Sequence, residues 1–291
     1  MLSPSAPQRG TRRFLDWLRE TSERRNVPLH IHIQETKTQV ITGWEFYHGR
    51  TVMQYAHDIG LLTPRTTVVH SIWVTDEEIE MMVEDGVSVV HNPISNLNIG
   101  SGIMPMHRLL AAGINIALGT DGMSSNDNQN MFEVMKMAAL LHRITQPDYN
   151  QWPSAGQVLR MATYGGARSC LLHEQTARLE VGRKADIVLY DLKALPFTPL
   201  NNVKNQLVFC ERGESVDTVI VDGKIVVEGR RVLTVNEEEV LAQVRKFHGP
   251  FMEQWAEAAR FSDQLEPYLS QVYRRCVEVP VGINRWAEDE R

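Results

Sequence analysis

Four short apolar segments in the first 121 residues each run into a residue able to bind a metal or move a proton. They are Val27-Pro-Leu-His-Ile-His-Ile-Gln-Glu35, Thr66-Thr-Val-Val-His70, Val87-Ser-Val-Val-His91 and Ile114-Asn-Ile-Ala-Leu-Gly-Thr-Asp121. Helical patterns separate them. Residues 12–25 read as an amphipathic helix with Phe14, Leu15 and Leu18 on its apolar side, and a second helical segment near 51–59 ends at Gly60. Thr75 and Glu78 form a capping box that opens a third, which stops at Gly86. Two more follow, near 104–113 and 129–145. Strands alternating with helices of this length predict parallel βαβ units.

In a βα barrel the C-terminal strand ends open onto one common mouth, where catalytic groups from different strands meet. The groups offered here are His32 with Glu35, His70, His91 and Asp121. Singly, each has a plainer reading. A histidine at a strand end often serves as a hydrogen-bonded structural residue, and Asp121 suits the turn before the next helix. Glu35 has the opposite parity to His32, so the strand must bend between them for both to reach one site. His30 shares the face of His32 and is expected to pack behind it. Met131, Met135 and Met137 read as core filler. Trp44, Phe46, Tyr47 and Trp73 lie just beyond two strand ends, where they suit either a flat aromatic substrate or packing.

After about residue 180 the texture changes. Ala185–Tyr190 reads as a strand, and 216–227 as a hairpin turning at Asp222-Gly223. Asn236, with Glu239 three residues on, caps a helical tail expected to break at Gly249-Pro250 and run towards residue 276. Thirty Lys+Arg against 36 Asp+Glu leave a net charge of −6, which gives no footprint for nucleic acid. Three scattered cysteines make no disulfide framework, and no apolar run is long enough for a bilayer. A cytoplasmic protein is expected.

The ordered set His30-Ile-His-Ile-Gln-Glu35, Val69-His70, His91-Asn-Pro-Ile-Ser-Asn96 and Leu118-Gly-Thr-Asp-Gly122 resembles the last four barrel strands of the amidohydrolase superfamily. The nearest likeness is to the cytosine/guanine deaminase and chlorotriazine hydrolase branch. Gly182-Arg-Lys-Ala-Asp-Ile-Val188 resembles that branch's return into a small β-sandwich. The resemblance implies an α/β fold: the later strands of a (β/α)8 TIM-type barrel over 1–178, part of a small β-sandwich over 179–235, and a helical extension over 236–291. It implies a metal-dependent hydrolase of non-peptide carbon–nitrogen bonds that deaminates a nitrogen heterocycle, with one Zn²⁺ or Fe²⁺ per complete enzyme. His32 and Asp121 match metal ligands, Glu35 the proton-shuttling acid, and His70 a group orienting substrate or water. His91 and Asn96 match residues that either support the ligand groups from behind or line the substrate pocket, and Trp44 and Trp73 are carried beside them as candidate substrate contacts.

The family also places a His-x-His pair on its first barrel strand, and here the only such pair is His30-Ile-His32. A chain that begins late in a longer protein is the expected explanation; a natural half-barrel is the alternative. On either view metal would be held weakly by this chain alone. The strand 29–35 is then expected to be an unpaired edge, rich in Leu29, Ile31 and Ile33, that drives homo-oligomerisation. The competing function is a catalytically incomplete subunit that binds a partner through this edge.

Overall fold

The computed structural model describes residues 1–287. They divide into two compact units: Met1–Arg183 with Leu192–Ser215 and the segment from Val281, and Lys184–Asp191 with Val216–Pro280.

In the first unit, helices α1 (Arg12–Arg25), α2 (Lys37–Phe46), α3 (Val52–Asp58), α4 (Asp76–Glu84), α5 (Pro93–Asn98), α6 (Met106–Ala111), α7 (Met123–Asn126) and α8 (Met131–Ile144) alternate with four strands. These are β1 (Leu29–Ile33), β2 (Thr66–His70), β3 (Ser88–His91) and β4 (Asn115–Leu118). They form one parallel sheet in sequence order, so each crossover returns the chain beside the strand it left. Shorter helices α9 (Ala155–Arg160), α10 (Gly166–Ser169) and α11 (Val203–Phe209) follow. This mixed α/β arrangement fits the expected barrel arc.

Register explains how the sheet carries chemistry. Ile31, Val68, Val89 and Ile116 align in one row and join a buried core with Leu15, Leu18, Ile79 and Met82 from the helices. Fully burying each such side chain contributes about 1.5–3 kcal/mol. One residue along, on the opposite face, His32, Val69, Val90 and Ala117 align. The last three form a separate small apolar cluster, so the histidine sits at the end of a dry row.

Helix ends follow local rules. Thr11 accepts from the Phe14 N–H, and α1 ends at Asn26 in the left-handed region. Leu15 and Leu18 are buried as expected, but Phe14 is exposed and stacks on Trp17 at the surface. The box of Thr75 and Glu78 is formed. Glu78 does more than cap: fully buried, it also accepts from Gln34 Nε2 at 3.0 Å and from the Thr51 hydroxyl. Gln34 Oε1 accepts from the Met53 N–H at 3.1 Å. This network anchors the end of β1.

The expected bare edge of β1 is corrected. Leu2 bridges Leu29 in parallel, its carbonyl accepts from the His30 N–H, and the Ser5 carbonyl accepts from the His32 N–H. Leu29, Ile31 and Ile33 are buried. The Pro-rich start of the chain lies along the strand because its carbonyls, which proline leaves intact, satisfy the strand's amides.

The second unit holds one antiparallel sheet of β5 (Ile187–Tyr190), β6 (Val216–Val221), β7 (Lys224–Glu228) and β8 (Arg231–Val232), in that order. The β6–β7 turn is Asp222-Gly223, both with positive φ, 50° and 79°, which is why glycine stands there. Asn236 caps helix α12 (Glu237–Glu278) by accepting from the Glu239 N–H. The expected break at Gly249-Pro250 is absent; α12 continues through Pro250 and Pro267. Residues around both prolines are exposed, so solvent can take the carbonyl that each proline leaves unbonded. Among the described residues no helix is long and apolar enough to cross a membrane.

Candidate functional site

The strand ends turn sharply. Gln34, His70, Ser71 and Asp121 all have positive φ, from 49° to 74°. Such conformations are uncommon for residues other than glycine and persist where surrounding bonds fix them. The kink at Gln34 supplies the bend that parity requires, and it brings Glu35 round to the histidines.

Glu35, His70 and Asp121 converge: one ligand atom from each lies within 4.8 Å of the others. His70 Nε2 is 3.6 Å from Glu35 Oε1 and 3.9 Å from Asp121 Oδ2. The tautomer of His70 follows from its other nitrogen. Nδ1 lies 2.9 Å from Asn96 Oδ1, an amide oxygen that only accepts, so Nδ1 carries the hydrogen. In the neutral ring Nε2 is then a bare lone pair, buried, with no hydrogen-bond partner. Burial lowers the His70 pKa, against the upward pull of Glu35. The result is a lone pair and two carboxylates aimed at one point.

Asp121 is braced. Ser95 Oγ donates to Oδ2 at 2.6 Å and the Gly122 N–H to Oδ1 at 2.7 Å. Burial works to raise its pKa, but those bonds, the nearby His70 and Ser125 outweigh it, and the carboxyl is held below its ordinary value. Ser95 was not among the sequence candidates. Its contact spans 26 residues of chain and has no local signature.

His32 lies beside this group, its ring centroid 5.4 Å from that of His70. Its Nδ1 donates to the Ser5 carbonyl at 2.6 Å, which leaves Nε2 as the lone pair. The structure draws Glu35, His70 and Asp121 together more closely than it draws His32. His30 is half-buried next to His32, and burial lowers its pKa.

Asn96 is buried, and its amide oxygen accepts from His70 Nδ1. His91 is fully buried, and its Nε2 lies 2.9 Å from His142 Nε2. Burial pushes His91 well down and His142 to about 3, so both rings are neutral and one donates to the other. A substrate contact for His91 is therefore replaced by a structural pair. The same correction applies to Trp73, which is 1% exposed, donates its indole N–H to the Ser101 carbonyl and packs on Trp286. Trp44 is half-buried against the core from α2. Trp73 takes the packing role, and Trp44 packs one side of its ring on the core.

The model of the Amidohydrolase family matches residues 1–226. The chain belongs to the amidohydrolase family. Among amidohydrolase relatives, a 5'-deoxyadenosine deaminase of Methanosarcina acetivorans is 40% identical over 245 residues, covering 84% of this chain and 56% of the relative. A 5-methylthioadenosine/S-adenosylhomocysteine deaminase of Desulforudis audaxviator is 41% identical over 246 residues, with 84% and 57% covered. A zinc-bound adenosine deaminase from Xanthomonas campestris superposes with a TM-score of 0.82 at 32% identity, over 86% of this chain and 57% of that one. The zinc complex of atrazine chlorohydrolase from Arthrobacter aurescens gives 0.79 at 27% identity, over 84% and 54%. The chain thus spans a little over half the length of the amidohydrolases it matches.

Proposed function

We propose that this amidohydrolase chain takes part in the zinc-dependent hydrolytic deamination of an aminated purine carried on a small nucleoside-type molecule. The observation that carries the reading is the meeting of Glu35, Asp121 and the unpartnered Nε2 of His70 at one point. Nitrogen and oxygen donors of this kind suit Zn²⁺ or Fe²⁺. The deaminase names of the relatives and the zinc in the structural neighbours favour zinc and an amino leaving group.

His32, through Nε2, and Asp121 are assigned as ligands. When bound, the ion supplies the Lewis acidity that lets water ionise near neutral pH. Asp121, held below its ordinary pKa by Ser95 and the Gly122 amide, and Glu35, a quarter exposed beside it, are the groups that would take up the two protons of the attacking water. As its oxygen bonds to the ring carbon bearing the amino group, one of those protons would pass to the neighbouring ring nitrogen, and Glu35 would pass the other to the amino group, so that the C–N bond breaks with loss of ammonia. His70, oriented by Asn96, would hold the attacking oxygen.

The test is ammonia release from 5'-deoxyadenosine, 5'-methylthioadenosine and adenosine by zinc-supplemented protein. One ammonia is expected per inosine-type product formed. Zinc-loaded protein that releases none from any aminated purine would refute the reading.

A further inference from the structure

The last described segment, Val281–Ala287, folds back onto the loops that carry the candidate site. Arg285 Nε donates to the Ile72 carbonyl at 2.9 Å and Nη2 to the Val74 carbonyl at 2.7 Å. The planar guanidinium fork grips two carbonyls on either side of Trp73, a geometry that a lysine cannot copy. The Arg285 carbonyl accepts from the Ile103 N–H at 2.7 Å. Gly102, at φ 115°, lets that backbone pass: a Cβ there would meet the Arg285 carbonyl oxygen at 3.0 Å. Trp286 donates its indole N–H to the Gly100 carbonyl at 3.0 Å, packs edge-on against Trp73 at 4.7 Å, and receives Lys37 Nζ over its ring at 5.5 Å.

These contacts fall on chain that leads away from three site residues: Lys37 opens α2 two residues beyond Glu35, Ile72 lies in the turn two beyond His70, and Gly100 follows α5 four beyond Asn96. The corner at His70-Ser71 has φ of 74° and 49°, costly conformations that need external support. One side of that support comes from the residue just after β1: the Gln34 carbonyl accepts from the N–H groups of Ile72 and Trp73, each at 3.0 Å. The other side is Arg285.

We infer that Arg285 is a positioning residue of the site. It locks the strained turn after β2 so that His70 Nε2 faces Glu35 and Asp121, while Trp286 ties that turn to the start of α2 and to the loop beyond α5. The C-terminal segment is thereby a working part of the site although it lies about 200 residues away in sequence. Burial brings the Arg285 pKa down to about 10, with Arg108 adding to the shift, so the group is still protonated at neutral pH and donates fully.

The activity arm of the test rests on the deaminase reading; the exchange arm does not. In the full chain, Arg285→Ala should speed amide hydrogen exchange at Ser71, Ile72 and Trp73 by about tenfold or more, with Val89 and Val90 of β3 unchanged. It should lower kcat by about tenfold or more, the scale of small misplacements at a reacting centre, and leave KM within about threefold. Arg285→Lys, which keeps the charge and reaches one carbonyl, should fall between native and Ala in both readouts. If the Ala protein does not fold, the Lys protein carries the same test. Unchanged exchange at Ser71–Trp73, or exchange that rises equally in β3, would overturn the inference, as would full kcat with Lys and Ala alike. A native protein without deaminase activity would refute the proposed function and leave the exchange result to decide this one.

Discussion

β2 and β3 of the parallel sheet are buried at every position, whereas β7 of the antiparallel sheet buries none and β6 buries only Thr218. Both sheets have four strands, yet only one ends in a constellation of acids and histidines. The difference is physical. A parallel strand needs a crossover and is covered on both faces, so side chains at its end leave a rigid, dry base in a fixed direction. A hairpin strand returns through two residues, and carboxylates along it, such as Asp217 or Glu228, stay in water where their fields are screened. Chemistry that depends on aiming a lone pair belongs to the first kind.

The sharpest contrast is catalytic. Glu35→Gln should lower ammonia release by about 10²-fold or more, the usual scale for a general acid–base group, while zinc uptake stays within twofold. Asp217→Asn in β6 should leave both unchanged. Equal loss of zinc and activity in Glu35→Gln would move that residue among the ligands.

Stability should separate the sheets next. Ile31→Ala empties a fully buried site and should cost about 2–5 kcal/mol in urea unfolding. Val188→Ala in β5, 42% exposed, should cost about 0.5 kcal/mol or less. Similar costs at both positions would erase the distinction drawn between the sheets.

Much of this was legible in the sequence because the signals were local. β-branched runs gave all four parallel strands, Thr75 with Glu78 gave a capped helix, and Asp222-Gly223 gave a hairpin. Helix α2 was not legible: its Thr, Val and Ile residues and Gly43 argue against a helix, and it forms under a Thr36 cap with Val40, Ile41 and Gly43 buried. At the site, the residues that face one another could be named from strand ends, but their supports could not. Ser95 under Asp121 and Arg285 behind His70 act across 26 and 213 residues, and no periodicity or spacing records such contacts. Trp73 shows the converse, since an aromatic just past a strand end looks the same in sequence whether it meets substrate or core.

A smaller, pH-dependent effect tests whether buried carboxylates of the first unit matter only near the site. Glu211, 2% exposed, accepts from the hydroxyl of Ser215 and from the N–H groups of Ser215, Gly213 and Arg212. Burial pushes its pKa up, but these bonds outweigh it and hold the group below its ordinary value. A depressed carboxyl stabilises the fold above its unfolded pKa and loses that contribution as pH falls through the folded one. Glu211→Gln should therefore cost about 1–3 kcal/mol at pH 7, and the gap from native should close on acidification below about pH 4. A gap independent of pH would assign its role to packing.

The most direct test is zinc titration followed by calorimetry on the native chain, Asp121→Ala and His57→Ala. His57 pairs with Asp85 at 2.8 Å and serves as a surface control. The native chain should take up one zinc, weakly; Asp121→Ala should weaken uptake at least about tenfold, the loss expected when a metal site is disturbed, and His57→Ala should not. Native protein that takes up no zinc, or an Asp121→Ala protein that binds it as well as native, would contradict a metal centre at the ends of the parallel strands.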